Sequence, residues 1–274
     1  MSRTRGIAEV NGASLHFELA GEGRPLVLLH AGICDGRMWD GQFDAFAAQR
    51  RVLRYDRRGF GRTTQGAGAF THVEDLKALL SRLNLGRVTL VGCSQGAKIA
   101  LDLALERPDV VDSLVLVAPA VSGYAYAAPP PPQYEEIERA DAAGDVERVN
   151  ELELQIWVDG PRRSSGEVEQ VVRELVREMN LAALNASVGE EQPSSVEAAG
   201  RLNEVSVPTL VVVGDLDTTR TLEAADALAK GIHGARLEVI RGTAHLPNME
   251  RPEEFNRIVL EFLNDSDGGG SEDR

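Results

Sequence analysis

The chain has 274 residues, 43% apolar and 26% charged, enough for one large α/β domain, or a domain plus a lid, with a sizeable core. A formal net charge of −14 and the lack of any basic stripe argue against nucleic acid as a partner, and against anionic lipid held by a polybasic patch. No apolar run reaches the roughly 18 residues of a membrane span, and Ile7-Ala8-Glu9-Val10 is too short and too charged for a signal peptide, so a cytoplasmic location is expected.

Ile7–Val10 and Ser14–Leu19 flank Asn11-Gly12, a hairpin turn signal, and read as two antiparallel strands at a sheet edge. Pro25 precedes Leu26-Val27-Leu28-Leu29-His30, a continuous apolar run and so a buried strand. Met38 to Ala48 reads as a helix, with Trp39, Phe43, Phe46 and Ala47 at near-helical spacing. Val52-Leu53-Arg54-Tyr55 is the next strand, and Thr71 to Leu83 a helix with Val73, Leu76, Leu79, Leu80 and Leu83 on one face. Val88-Thr89-Leu90-Val91 reads as a strand, Ala97 to Arg107 as a helix and Ser113 to Val117 as a strand. This alternation predicts an α/β fold, a mostly parallel sheet with helices on both faces.

After Ala120 the alternation stops. Pro129-Pro130-Pro131-Pro132 reads as a stiff linker, and two amphipathic stripes follow on either side of the break at Gly160-Pro161. One holds Val146, Val149, Leu152 and Ile156; the other holds Val168, Val171, Val172, Leu175, Val176 and Met179. Residues 121–199 are therefore expected to form an inserted helical cap, and 1–120 with 200–263 the core. Pro208 to Val213 resumes the strand character, Leu222 to Lys230 is a helix, Arg236 to Ile240 the last strand, and Pro252 to Leu263 the last helix. The polar, glycine-rich tail 264–274 is expected to be disordered.

Chemistry concentrates where strands end. Gly92-Cys93-Ser94-Gln95-Gly96 sets a serine between two glycines, after a strand and before a helix, the context of a nucleophile elbow. A serine hydroxyl needs a base in hydrogen-bond reach, and the base needs an orienting carboxylate. Gly214-Asp215-Leu216-Asp217 and Gly242-Thr243-Ala244-His245 follow two later strands, whose carboxyl ends share one sheet edge with the elbow. The chain order Ser94, Asp217, His245 is the one stated for α/β-hydrolases. Asp215 competes for the acid role. Among the other histidines, His16 falls in the edge hairpin, and His72 and His233 read as helix-end surface residues. Cys34 and Cys93 form no disulfide framework and read as buried thiols, and no His/Cys/carboxylate cluster has metal-ligand spacing.

Taken together, Leu29-His30-Ala31-Gly32, Asp56-Arg57-Arg58-Gly59-Phe60-Gly61, the elbow, Gly214-Asp215-Leu216-Asp217 and Ala244-His245-Leu246-Pro247-Asn248-Met249-Glu250 carry a resemblance. Apart from the tail, the chain resembles the α/β-hydrolase fold family, and within it the small, capped, cofactor-free serine esterases and lactonases of the enol-lactonase-like group. The resemblance implies nucleophile Ser94, acid Asp217, which matches the family's Gly-x-x-Asp where Asp215 does not, and base His245. It implies oxyanion donors at the amide of Gln95 and at Gly32, with Ile33 the alternative, and a structural role for His30. The Asp56–Gly61 segment is expected to form a tight turn with an internal ion pair. Ile33, Trp39, Trp157 and Met179 are candidate pocket residues, though Trp39, Trp157 and Met179 also fit core positions. The sequence departs from the family at Ala31, Gln95, Ala97 and Thr221. A polar side chain at 95 facing the pocket would favour a polar substrate.

The expected activity is hydrolysis of a small-molecule carboxylic ester or lactone through an acyl-enzyme, with no cofactor and no metal. C–C bond hydrolysis, thioester cleavage and cofactor-free perhydrolysis use the same triad. A non-catalytic small-ligand-binding module on the same fold is the alternative of another class. Neither the particular substrate nor the oligomeric state is legible.

Overall fold

The computed structural model describes residues 3–66, 68–187 and 189–268. Its first two strands, β1 (Arg3–Val10) and β2 (Ala13–Ala20), form the antiparallel hairpin expected from Asn11-Gly12. Asn11 and Gly12 both take positive φ, 46° and 78°, which asparagine and glycine tolerate at two-residue hairpin turns. Six more strands complete the main sheet: β3 (Pro25–Leu29), β4 (Arg51–Tyr55), β6 (Val88–Cys93), β7 (Val111–Val117), β8 (Thr209–Gly214) and β9 (Arg236–Ile240). The strand order is β1-β2-β4-β3-β6-β7-β8-β9, parallel from β4 onward, and the two-residue β5 (Thr64–Gln65) pairs with β2.

Because strand side chains alternate between faces, each central strand feeds two cores. Val27, Leu29, Leu90, Leu114, Leu116, Val211 and Val213 face one core, which is closed by α2 (His72–Arg82), α3 (Gln95–Glu106) and α7 (Thr219–Gly231). Leu26, Leu28, Val91, Val115, Val117, Leu210 and Val212 face the other, closed by α1 (Asp40–Ala47) and α9 (Pro252–Gly268). Such near-continuous apolar strands need cover on both faces, and the helices supply it.

Between β7 and β8 the chain leaves the sheet. It forms α4 (Tyr134–Ala142), α5 (Val146–Leu154), a π-helical turn over Gln155–Asp159 and α6 (Gln170–Leu184). Val149, Leu152, Ile156, Val176 and Met179 bury their side chains, but Val171 is 70% exposed and does not belong to the apolar stripe. A four-residue helix, α8 (Pro247–Glu250), precedes α9.

The tail differs from its expected disorder. α9 continues past Leu263 to Gly268, because its polar last turn has partners on the sheet. Asp265 accepts from Arg236 at 2.9 Å, while Asp267 pairs with Arg24 and, at 2.6 Å, with Arg50. The remainder of that expectation, 269–274, lies outside the described residues. No helix among the described residues is long and apolar enough to cross a membrane.

Candidate active site

Ser94 stands between β6 and α3 with φ 54° and ψ −112°, a region that non-glycine residues seldom occupy. Two close approaches hold it there. A Cβ on Gly92 would run into the carbonyl of Gly96, and a Cβ on Gly96 into the carbonyls of Leu29 and His30. The motif's glycines are thus imposed by backbone contact. The Ser94 N–H donates to Val117 O at 2.9 Å, so the next strand also fixes the turn.

Asp217 and His245 meet. His245 Nδ1 lies 2.8 Å from Asp217 Oδ2, and both residues are buried. A carboxylate only accepts, so Nδ1 carries the proton and Nε2 is left as the basic nitrogen. The Thr218 N–H donates to Asp217 Oδ1 at 2.6 Å and fixes the carboxylate plane. Asp215 turns elsewhere: it accepts from the Gly242 N–H at 2.6 Å and so fastens the loop that carries His245. Glu250 fastens the same loop, accepting from the Ala244 N–H at 2.8 Å and from Arg163 Nη1 at 2.6 Å. The Cys93 thiol, next to the serine, donates to His245 O at 3.7 Å. Burial pushes the Cys93 and Cys34 thiols up, so both stay protonated and are poor nucleophiles.

Ser94 and His245 share the wall of one cavity of about 510 Å³, with Gly32, Ile33, Gln95 and Trp157 also on it. Gln95 opens α3, and the first N–H groups of a helix have no intrahelical acceptor. The Cys34 N–H donates to Ala31 O at 3.2 Å, closing a turn with Gly32 and Ile33 at its centre. Either amide can serve as the second donor. Trp157 sits on the π-helical turn, with its ring centroid 4.5 Å from that of His245.

Trp39 and Met179 are core residues instead. Trp39 is fully buried against Phe255, ring centroids 6.2 Å apart, and Met179 takes the Asp35 N–H on its sulfur at 3.4 Å. Their helical spacing marks a buried face without saying which space that face adjoins. His72 is also not a surface residue. It is 6% exposed, 3.6 Å from Glu191, with its pKa lowered by burial. His16 pairs with Asp56 at 3.3 Å, and His233 is exposed.

His30 and Arg57 form the floor below the cavity. His30 Nδ1 meets Ala31 O at 2.8 Å and its Nε2 accepts the Arg57 N–H at 3.0 Å, so the ring is neutral with the proton on Nδ1. Burial, then the Arg57 charge, lowers its pKa well below the usual histidine value. The ion pair expected inside the Asp56–Gly61 segment is replaced by one that leaves it: Arg58 reaches Asp75 on α2 at 2.6 Å, while Asp56 accepts from the Gly36 and Arg62 N–H groups at 2.8 and 2.9 Å. Arg57 reaches the side chain of Gln95. That contact, Arg163 and the tilted Trp157–His245 ring contact escaped the sequence, since each joins segments far apart in the chain.

Sheet order, elbow and acid–histidine pair define a class. Residues 26–258 match the alpha/beta hydrolase family, and the chain belongs to that family. A relative from Comamonas testosteroni, 2-hydroxy-6-oxo-6-phenylhexa-2,4-dienoate hydrolase, is 26% identical over 260 residues, covering 91% of each chain. Among solved structures, a thermophilic esterase from Thermogutta terrifontis superposes with a TM-score of 0.76 at 28% identity, covering 97% of this chain and 99% of the other. The enol-lactonase from Burkholderia xenovorans LB400 gives a TM-score of 0.78 at 26% identity, covering 94% and 99%. The chain is thus similar to hydrolases that act on different bonds.

Proposed function

We propose that this protein is a serine hydrolase that cleaves a carboxylic ester or lactone through an acyl-enzyme, with Ser94 as nucleophile, His245 as base and Asp217 as orienting acid. The reading rests above all on the 2.8 Å bond from His245 Nδ1 to Asp217, on the wall of the cavity that also holds Ser94. Nε2 of His245 takes the hydroxyl proton as Ser94 attacks the carbonyl carbon, and the Asp217 carboxylate stabilises the imidazolium formed. The amide of Gln95, with Gly32 or Ile33, donates to the developing oxyanion, and the partial positive charge at the start of α3 adds to this. His245 returns its proton to the leaving alkoxide, and water then repeats the sequence to release the acid. Residues 121–199 act as a cap, supplying Trp157 and the far wall of the cavity. A cofactor has no part in these steps. Hydrolysis of a carbon–carbon bond is the second reading, favoured by the activity in the name of the Comamonas testosteroni relative.

A fluorophosphonate probe should label the wild type and fail to label Ser94→Ala. On whichever of a panel of p-nitrophenyl esters and lactones is turned over, Ser94→Ala should lose at least about 10⁴-fold in kcat/KM, and Asp217→Asn about 10³- to 10⁴-fold. An unlabelled, inactive wild type would favour the ligand-binding module. An Asp215→Asn loss equal to that of Asp217→Asn would overturn the choice of acid.

A further inference from the structure

Arg57 is a guanidinium taken out of water without an ion-pair partner. It is 1% exposed, and no carboxylate among the described residues lies within ion-pair distance. Three oxygens hold it instead: His30 O at 3.3 Å and Ala31 O at 3.2 Å from Nη2, and Gln95 Oε1 at 3.0 Å from Nη1. Two of these are carbonyls of the loop that carries Gly32 and Ile33; the third belongs to the residue after the serine. Leaving a buried cation unpaired is costly, so its placement behind the reacting centre calls for a reason.

The reason lies in what Arg57 does to Gln95. Guanidinium is a donor only, so the amide group of Gln95 must turn its oxygen inward to Arg57. Its Nε2 is then the free end, and it has no hydrogen-bond partner among the described residues. Gly32 leaves room for this seat: a Cβ there would lie 3.1 Å from Gln95 Oε1 and 3.6 Å from Nε2. Gln95 is exposed, and it lines both the cavity of Ser94 and a second chamber of about 320 Å³ that continues past Gly32 and Glu153.

We propose that Arg57 is a positioning residue that fixes the Gln95 side chain as a hydrogen-bond donor to the substrate, so that the enzyme prefers acyl groups carrying an acceptor oxygen close to the reacting carbonyl. The inference rests on the serine-hydrolase reading above. It names a substrate class: alkoxy-, hydroxy- or oxo-acyl esters and lactones, over plain alkanoyl ones. Gln95 gives through its backbone to the oxyanion and through its side chain to the acyl chain. Arg57 touches neither.

Two esters of equal length provide the test, p-nitrophenyl methoxyacetate and p-nitrophenyl butyrate. The readout is the ratio of their kcat/KM values, each divided by its rate with hydroxide so that intrinsic reactivity cancels. Gln95→Met should lower that ratio about five- to tenfold, the worth of one neutral hydrogen bond. Arg57→Met should lower it by a similar factor, and the double variant no further than either, because the two residues act as one unit. Arg57→Lys, which keeps a donor and the charge, should fall between wild type and Arg57→Met. Should Arg57→Met not fold, Gln95→Glu serves: Arg57 would hold one carboxylate oxygen and turn the other outward as an acceptor, lowering the ratio further than Gln95→Met. A ratio unmoved by Gln95→Met, or two esters slowed equally by the Arg57 variants, would overturn the proposal while fluorophosphonate labelling of Ser94 stands. A wild type that neither takes the label nor turns over either ester would overturn both readings.

Discussion

The rim of the sheet and the inserted helices wall the same cavity, yet different forces hold them. At the rim, backbone meets backbone. The glycines at 92, 96 and 214 each let a neighbouring carbonyl approach where no Cβ would fit, and a hydrogen bond from Leu216 N to Thr243 O at 3.0 Å joins the loops of Asp217 and His245. In the insert, charged side chains hold helices together. Arg173 grips buried Asp159 through two bonds of 2.9 and 3.0 Å and reaches Glu151 at 2.8 Å, which Arg177 also holds at 2.5 Å. Backbone contact fixes atoms tightly and does not titrate. Ion pairs can be broken one at a time, by a substitution or by acid, and the two regions should therefore fail separately.

Arg173→Met should have the largest effect. It leaves Asp159, 2% exposed, as a buried carboxylate without its cation, a loss of about 3–5 kcal/mol. The damage should stay local, since the insert has its own contacts. Amide hydrogen exchange should speed up across 146–184 and remain unchanged in Val88–Cys93. Equal acceleration in both would show that rim and insert unfold as one unit.

Gly214→Ala attacks the rim instead. Its Cβ would run into the carbonyls of Thr243 and Ala244, just before His245. Overpacking of this kind costs about 1–3 kcal/mol, so thermal unfolding should drop by only a few degrees. Activity should suffer more, by about 10²-fold, because a shift near 1 Å at the base is enough. A variant with lowered melting and full activity would mean that the histidine loop is held by Asp215 and Glu250 alone.

The same contrast explains what could be read from the sequence. The rim was legible because its constraints leave marks within a few residues. The glycines flank Ser94, Asp217 and His245 follow strands, and Asn11-Gly12 announces its hairpin. Two helical stripes of the insert were legible as well, but the contacts of the insert and the floor were not, because their determinants pair across distance. Nothing near Trp157 says that a π-helical turn brings it onto His245, and nothing near Arg57 names Gln95. Periodicity correctly marked Trp39 and Met179 as facing inward, but a helical stripe cannot distinguish a core from a cavity. Polar composition likewise suggested disorder beyond Leu263, where Arg236, Arg24 and Arg50 in fact supply partners for Asp265 and Asp267.

Acid should separate the regions as well, and in a fixed order. His30, fully buried and neutral at the floor of the site, has its pKa lowered in the folded state by burial and by Arg57. Below about pH 6.5 the unfolded chain binds a proton there that the folded one refuses, so stability falls as pH drops from that point. The slope from this one group approaches about 1.4 kcal/mol per pH unit. In the insert, burial acts to raise the Glu151 pKa, but bonds from Arg173, Arg177 and Gln155 outweigh it and hold the carboxyl at about 2. Its stabilising contribution is complete above the ordinary glutamate range, near pH 4.5, and is lost only as pH falls toward about 2. Denaturation by urea at a series of pH values should therefore show His30→Gln losing part of the pH dependence just below pH 6.5, the rest belonging to His72, while Glu151→Gln keeps the wild-type slope there at a lower stability. Glu151→Gln should run below the wild type by a constant amount down to about pH 4.5, and the two should converge only as pH falls toward about 2. If Glu151→Gln instead changed the slope near pH 6, the acid response at that pH would belong to the ion-paired insert, and the backbone-held rim would be the later of the two to fail.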